Sequence, residues 1–243
     1  MKIFNEIKLA QELIRFPTVK TEDKGIIKFL TKKLTTIGFK CTIIKSKGTG
    51  TKSALNLYAR FGKSKPHINF LGHTDVVANL NNWKISPFKA VVKKGYLNGR
   101  GSQDMKGGIA CWISAVSNFI KNNKFKGSIS IIITADEETT GLGAPAIMKY
   151  LRRKGEKIDF SVVGEPSSNK SVGDEIRIGR RGSMNGIVTV YGKSGHSAFA
   201  GSYINPCTAL AKVISKLKSS SLDNGTKFMP PSNLEFTKIN VEN

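Results

Sequence analysis

The sequence is poor in cysteine, in acidic residues and in long apolar runs. Among its 243 residues there are three cysteines, widely separated and without a Cys-x-x-Cys pair, so neither a disulfide framework nor a thiolate zinc site is expected. No run approaches the ~18 apolar residues that a membrane-spanning helix requires, and residues 1–10 carry charges instead of an apolar signal core. We therefore expect a soluble, cytoplasmic protein without a membrane partner.

The shortage of acidic residues leaves a large positive charge. Against 39 Lys and Arg there are 17 Asp and Glu, a formal net charge of +22, which suits either nucleic acid or a small polyanionic substrate. The basic residues are scattered from Lys2 to Lys238 in short clusters, and no basic block is interleaved with aromatic residues. The pattern therefore favours a lysine-rich surface or a polyanionic small-molecule substrate, and no specific nucleic-acid partner is predicted.

Apolar periodicity predicts helices alternating with strands over the first three quarters of the chain. The predicted helices are 5–15, 23–37, 104–122 and 144–154, and the predicted strands are 40–45, 53–61, 67–71, 128–134 and 159–163. The strand at 128–134 is rich in isoleucine, as expected of a strand covered on both faces. This order indicates an α/β fold with a mostly parallel central sheet.

The pattern changes near Arg180. A half-exposed strand is predicted at 185–191, an amphipathic helix at 206–218 and another strand at 234–241. We therefore predict a catalytic domain over 1–178 and a second, smaller α+β domain over 179–243. The predicted elements of this second domain amount to one βαβ unit.

Polar residues that can bind metal follow the ends of three predicted strands. They are His73 and Asp75 after the first, Asp136, Glu137 and Glu138 after the second, and Glu165 after the third. Asp104 lies in a glycine-rich turn just before a predicted helix. Ligands of open α/β sheets bind at the carboxyl ends of the strands, so these side chains can converge on one site.

One imidazole with several carboxylates is a ligand set suited to zinc, cobalt or manganese. Adjacent carboxylates at Glu137 and Glu138 point in different directions, so one can bind metal while the other exchanges a proton with water, as metal-assisted hydrolysis requires. Asp75 could hold the ring of His73. Taken singly, a Glu-Glu pair usually faces solvent and a lone histidine in a turn is usually structural; the joint pattern favours a metal site.

These residues occur in segments that resemble, in order, the four motifs of the M20 family of metallopeptidases and deacylases. The segments are 72–77 (Gly-His-Thr-Asp-Val-Val), 99–107 (Gly-Arg-Gly through Asp-Met-Lys-Gly), 136–138 (Asp-Glu-Glu) and 164–166 (Gly-Glu-Pro). Residues 164–168, 172–174 and 179–183 are similar to the succinyl-diaminopimelate desuccinylase branch of that family. The resemblance implies a zinc-exopeptidase-like catalytic domain and a smaller lid or dimerisation domain.

The resemblance also implies a dinuclear zinc amidohydrolase, with cobalt as an alternative ion, that cleaves N-succinyl-LL-2,6-diaminopimelate in lysine and diaminopimelate biosynthesis. By motif match, His73 and Glu165 would hold one metal, Glu138 the other, and Asp104 would bridge them. Glu137 would be the general acid/base, and Asp75 would support His73.

The resemblance assigns three more residues to the smaller domain. His196, in a Ser-Gly-His-Ser-Ala segment, would reach across a homodimer to stabilise the oxyanion. Arg180 and Ser183 would bind carboxylates of the substrate.

One departure from the family pattern concerns the second metal. Family members carry a late histidine that completes this site, whereas the histidines of this chain are His67, His73 and His196. We therefore expect an N-terminal fragment with a complete first metal site, an impaired second one and little activity alone. Two alternatives stay open: an acetylornithine deacetylase-like or other M20 aminoacylase or peptidase specificity, and a non-catalytic fragment that pairs with a separate C-terminal half.

Overall fold

The computed structural model describes residues 2–47, 53–78 and 81–241. The chain divides into two compact units, Met1–Glu175 and Ile176–Asn243, a division a few residues before the predicted domain boundary. None of the helices in the described ranges combines the length and the apolar composition that a bilayer crossing requires.

The first unit contains four α-helices and seven strands within the described residues. In chain order they are α1 (Glu6–Ile14), α2 (Ile26–Thr35), β1 (Lys40–Lys47), β2 (Ser53–Gly62), β3 (His67–His73), β4 (Val91–Lys93), β5 (Tyr96–Asn98), α3 (Gly107–Asn122), β6 (Ser128–Thr134), α4 (Gly143–Arg153) and β7 (Phe160–Val163). A π-helical turn, Ser102–Lys106, leads into α3. All predicted helices and strands of this unit are present; the short hairpin β4–β5 was not predicted.

Five of the strands form one mixed sheet in the order β1-β2-β6-β3-β7. β3 pairs in parallel with both β6 and β7, whereas β2 is antiparallel to β1 and β6. The sheet is thus parallel where β6, β3 and β7 meet, as the α/β pattern predicts.

Helices cover both faces of this sheet. Every residue of β6 is buried, and its alternating isoleucines enter two different apolar clusters. Ile131 packs in the larger cluster with residues of α1, α2 and α3, while Ile132 packs in the smaller one with Ile147 and Leu151 of α4. The isoleucine run is explained by this two-sided burial.

The parallel strands bring the predicted metal-binding segments to one edge of the sheet. His73, the last residue of β3, is paired with Thr134, the last residue of β6. On the other side of β3, Leu71 is paired with Val163 of β7, and the Gly164 N–H donates to the Leu71 carbonyl over 3.0 Å. The segments that follow the three strands therefore emerge side by side.

The second unit contains α5 (Pro206–Ser219), which confirms the predicted helix, and an antiparallel bridge between Lys193 and Ile204. The strands predicted at 185–191 and 234–241 are wrong for the described residues, which have no strand there. A strand needs a neighbouring strand to pair its backbone and a surface to cover its apolar face. Ile187 is 95% exposed, so the alternating pattern has no such surface within this unit.

Candidate metal centre

His73 lies at the centre of the acidic cluster. Its side chain is buried, and its Nδ1 lies 3.0 Å from the backbone carbonyl oxygen of Asp75. A carbonyl only accepts hydrogen bonds, so Nδ1 carries a proton and Nε2 is the nitrogen available to a metal. Nε2 is 2.9 Å from Asp104 Oδ1, 3.5 Å from Glu165 Oε1 and 3.9 Å from Glu137 Oε2.

Two groups of three side chains in the described ranges could hold a metal ion. One comprises His73, Asp104 and Glu138, and the other His73, Glu137 and Glu165; within each group the ligand atoms lie within 4.8 Å of one another. Both groups use the same imidazole. A ring nitrogen has a single lone pair, so only one ion at a time can bind His73 through Nε2.

Asp75 organises both halves of this cluster. It is buried, and its backbone carbonyl faces the His73 ring. Its two carboxylate oxygens accept hydrogen bonds from the backbone N–H groups of Glu137, over 3.1 Å, and Glu138, over 2.9 Å. One carboxylate thus fixes the turn that carries the acid pair, while the same residue orients the imidazole.

Asp104 is presented by the tight turn before α3. Gly101 enters the turn with a φ of +79°, and the Lys106 N–H donates to the Gly101 carbonyl over 2.8 Å. A Cβ on Gly107 would lie 2.2 Å from the Ser102 carbonyl oxygen, so the turn requires glycine there. Met105 packs below the site, where its sulfur accepts from the His73 N–H over 3.3 Å.

The cluster concentrates negative charge. The pKa of Glu138 is raised by burial and then by the charge of Asp104, with His73 opposing these effects. A carboxylate whose ionised form is disfavoured by burial and neighbouring acids gains most from a bound cation. This crowding, with an available imidazole nitrogen, fits a divalent metal ion.

The ionisation of His73 reflects the same acids. Burial alone would lower its pKa, but the hydrogen bond and charge of Asp75, with the charges of Glu165 and Asp104, raise it from 6.5 to about 9. A group whose folded pKa is raised contributes stability below its unfolded pKa, and this contribution is lost as the pH rises through the folded value.

We therefore expect a specific pH dependence of stability in the metal-free chain. The difference in unfolding free energy between the wild type and His73→Gln should be largest below pH 6.5 and fall by roughly 2–3 kcal/mol by about pH 9. Urea unfolding in a chelator at several pH values measures it. Burial lowers the pKa of Lys106 to about 7, which has the opposite effect, but this contribution cancels in the difference. A constant difference across this range would contradict the assignment.

Asp136 has a structural task. It is buried, and its carboxylate accepts from the hydroxyl of Thr140 and from the N–H groups of Leu142 and Gly143, over 2.9 and 3.0 Å. It thereby satisfies the first turn of α4. An acidic residue that follows a strand can bind metal or accept hydrogen bonds from the start of a helix, and the sequence pattern alone does not distinguish these roles.

Two polar residues of the fold carried no signal that set them apart in the sequence analysis. Lys106, the last residue of the turn that carries Asp104, is fully buried. His67 is buried at the start of β3, where its ring faces the Lys157 carbonyl and the Ser130 hydroxyl. Burial of a lysine beside an acidic cluster could be recognised only from the packing.

The predicted residues of the second unit are exposed. They are Arg180, Ser183 and His196. The His196 Nδ1 accepts from the Ala198 N–H over 3.1 Å, and its ring centre is 5.8 Å from that of Phe199. The roles predicted for Arg180, Ser183 and His196 stay predictions.

A comparison with models of known protein families identifies the family of this chain. The model of peptidase family M20/M25/M40 matches residues 70–242. The chain belongs to this family.

Two curated relatives of this M20 chain share one name. It is 49% identical over 247 residues to "Succinyl-diaminopimelate desuccinylase" of Pelagibacter ubique, covering 100% of this chain and 64% of the relative. It is 44% identical to the protein of the same name from Rickettsia felis, covering 98% of this chain and 64% of the relative. The chain thus spans about 64% of the length of these relatives.

Solved structures support the M20 fold. A tripeptidase from Staphylococcus aureus has a TM-score of 0.64 at 19% identity, with 91% of this chain and 59% of that chain covered. The aminopeptidase PepT from Bacillus cereus has a TM-score of 0.59 at 24% identity, with 88% and 57% covered. At these identities the likeness concerns the fold.

Proposed function

We propose that this M20 chain carries the catalytic centre of a zinc-dependent hydrolase that converts N-succinyl-LL-2,6-diaminopimelate into succinate and LL-2,6-diaminopimelate. The observation that carries the proposal is the position of His73 Nε2, which faces Asp104, Glu137 and Glu165 at the carboxyl edge of the sheet. The relatives at 41–49% identity share the desuccinylase name. The reaction would take place in the cytoplasm, in the supply of lysine and diaminopimelate.

The donor set fits zinc. Nε2 of His73 and Oε1 of Glu165 are 3.5 Å apart, close to the ~3.4 Å expected between two ligands of a tetrahedral zinc ion with bonds of about 2.0–2.2 Å. We assign these two residues to a first ion, Glu138 to a second and Asp104 to both, with cobalt as a substitute. Zinc in this centre would polarise the amide carbonyl and lower the pKa of a water molecule.

We assign the proton transfers of the reaction to Glu137. Its side chain is 49% exposed and its Oε2 lies 3.9 Å from His73 Nε2, so it borders the centre while remaining open to water. As the water oxygen bonds to the amide carbon, Glu137 accepts the proton of the water. When the C–N bond breaks, it delivers this proton to the leaving nitrogen. Asp75 keeps the Glu137 backbone in place during both transfers.

The second unit would supply the recognition of substrate. An Arg fork at Arg180 and the hydroxyl of Ser183 suit the carboxylates of a polyanionic substrate, and His196 would stabilise the oxyanion from the other subunit of a homodimer. These three assignments follow the motif resemblance and the name of the relatives.

The test uses a fusion that supplies what the relatives have beyond this chain. Residues 1–243 are joined to the part of the Pelagibacter ubique relative that this chain does not cover. The fusion and the chain alone are both assayed with zinc on the succinyl substrate. We expect hydrolysis by the fusion and little by the chain alone. Glu137→Gln in the fusion should lower kcat at least about 100-fold. The control is Glu12→Gln: Glu12 forms an ion pair with Lys33 on the surface, and its substitution should leave kcat unchanged.

The acyl specificity is tested in the same fusion. The succinyl substrate is compared with N-acetylornithine and with a tripeptide. Turnover of either of these in preference to the succinyl substrate would overturn the desuccinylase assignment and favour another M20 specificity. A fusion that folds and binds zinc but hydrolyses none of the three would favour the non-catalytic alternative.

A further inference from the structure

Lys106 is the largest fully buried side chain of the chain's described residues, and it lies two residues from Asp104. Its Nζ donates to the backbone carbonyl of Phe16 over 2.8 Å. Taking a lysine out of water is costly, and burial lowers its pKa to about 7, with the charge of Asp75 opposing this shift. The cost of burying this lysine indicates that it does more than fill space in the core.

The carbonyl that Lys106 reaches belongs to a segment joined to the His73 loop. We call this segment, Phe16–Val19, the brace. The hydroxyl of Thr18 donates to the Thr74 carbonyl, over 2.5 Å, and the Val76 N–H donates to the Thr18 carbonyl, over 3.0 Å. Thr18 is buried, so breaking either hydrogen bond would leave buried polar groups without a partner, which is costly.

The brace therefore connects two sides of the candidate metal centre. On one side, Lys106 extends from the turn that presents Asp104. On the other, Thr18 holds the residues on both sides of Asp75, which itself orients His73 and the backbone of Glu137. The backbone of Lys106 is fixed as well, since its N–H donates to Gly101.

We propose that Lys106 is a positioning residue, which through the brace holds the Asp104 turn and the His73–Asp75 loop at the separation that a metal ion requires. The proposal rests on the proposed function for the metal centre. It does not depend on the charge of Lys106, because an ammonium group and a neutral amine both carry an N–H that can donate to Phe16.

Two substitutions remove the connection at different ends. Lys106→Met keeps an unbranched chain of similar length without a donor, and Thr18→Val keeps the shape of threonine without its hydroxyl. Thr18→Ser, which retains the hydroxyl, is the matched rescue. Ile113→Ala, in the buried face of α3, is the control for lost stability, because it touches none of these hydrogen bonds.

The first measurement is a Co²⁺ titration followed by visible absorption. We expect Lys106→Met and Thr18→Val to weaken Co²⁺ binding about 10–100-fold and to change the spectrum of the bound ion, the range found for residues that orient ligands. Ile113→Ala and Thr18→Ser should resemble the wild type. Unchanged affinity and spectrum in both Lys106→Met and Thr18→Val, with Co²⁺ bound by the wild type, would overturn the positioning role.

The second measurement needs no metal. Amide hydrogen exchange of Thr74 and Val76 should be roughly two- to tenfold faster in Lys106→Met than in Ile113→Ala, after correction for the global stability of each. If the wild type binds no Co²⁺, the metal centre fails while this result still decides whether Lys106 holds the loop. Equal corrected rates would overturn the role of Lys106 even if metal binds.

Discussion

Replacing His73 with alanine is expected to abolish tight zinc binding, with a loss of affinity of more than about 100-fold. Losing a residue that only supports a ligand typically costs 10–100-fold, and His73 would be a ligand itself. It is the imidazole common to both candidate groups, so the neighbouring carboxylates cannot replace the nitrogen that it provides. Competition with a chromophoric chelator measures the affinity of each variant.

The controls for this prediction separate the two ions. His196→Ala removes an exposed histidine of the second unit and should leave the zinc affinity of the chain unchanged. Only one ion can use Nε2 of His73. On the proposed assignment of Glu138 to the other ion, Glu138→Gln should remove a weak ion and leave the tight one. The wild type should therefore show one tight zinc per chain and a second, weak one. Tight zinc binding by His73→Ala would contradict this description of the centre.

The first unit could be predicted because its sequence patterns and its packing agree. The isoleucines of β6 face two cores, and they appear in the sequence as an uninterrupted apolar run. The order of parallel strands then determines which loops meet, since the segments after β3, β6 and β7 leave the same edge. A site composed of strand ends is thus visible before its geometry is known.

What could not be predicted depends on contacts between distant residues. Lys106 resembles any other lysine of a basic chain until its Nζ is seen on the Phe16 carbonyl, 90 residues away. Asp136 and Glu137 are adjacent acids after the same strand, yet one is buried against α4 and the other is half exposed at the centre. Successive residues after a strand point in different directions, so their roles follow from the surroundings of each.

The predicted strands of the second unit show the converse. Alternating polar and apolar residues at 185–191 fit the pattern of a strand. A strand also needs other residues to pack against its apolar face, and the pattern itself does not provide them. Ile187 and Met184 are almost fully exposed, and the described residues around them form no ladder. Local pattern alone did not produce strands here.

The largest expected effect on stability comes from Asp136→Ala, which should lower the free energy of unfolding by about 3 kcal/mol. The substitution leaves the buried N–H of Gly143 without its partner and removes the acceptor of the Thr140 hydroxyl and the Leu142 N–H. It also removes a negative charge from the N-terminus of α4, where the helix dipole favours one. Urea unfolding at neutral pH in the presence of a chelator measures the change.

A graded series distinguishes capping from the loss of a charge near the metal centre. Asp136→Asn keeps one oxygen acceptor in the same place, so it should retain about half of the stability that Asp136→Ala loses. Glu138→Gln, two residues along, changes a carboxylate of the centre that makes no bond to α4 and should alter stability by less than about 0.5 kcal/mol. Equal losses for Asp136→Ala and Glu138→Gln would show that charge, not the cap, determines the effect. The backbone carbonyl of Asp136, which accepts from the Gly141 N–H, is unchanged by these substitutions, so the turn that carries Glu137 keeps this bond. We therefore expect the Asp136 variants to weaken metal binding only near their unfolding transitions.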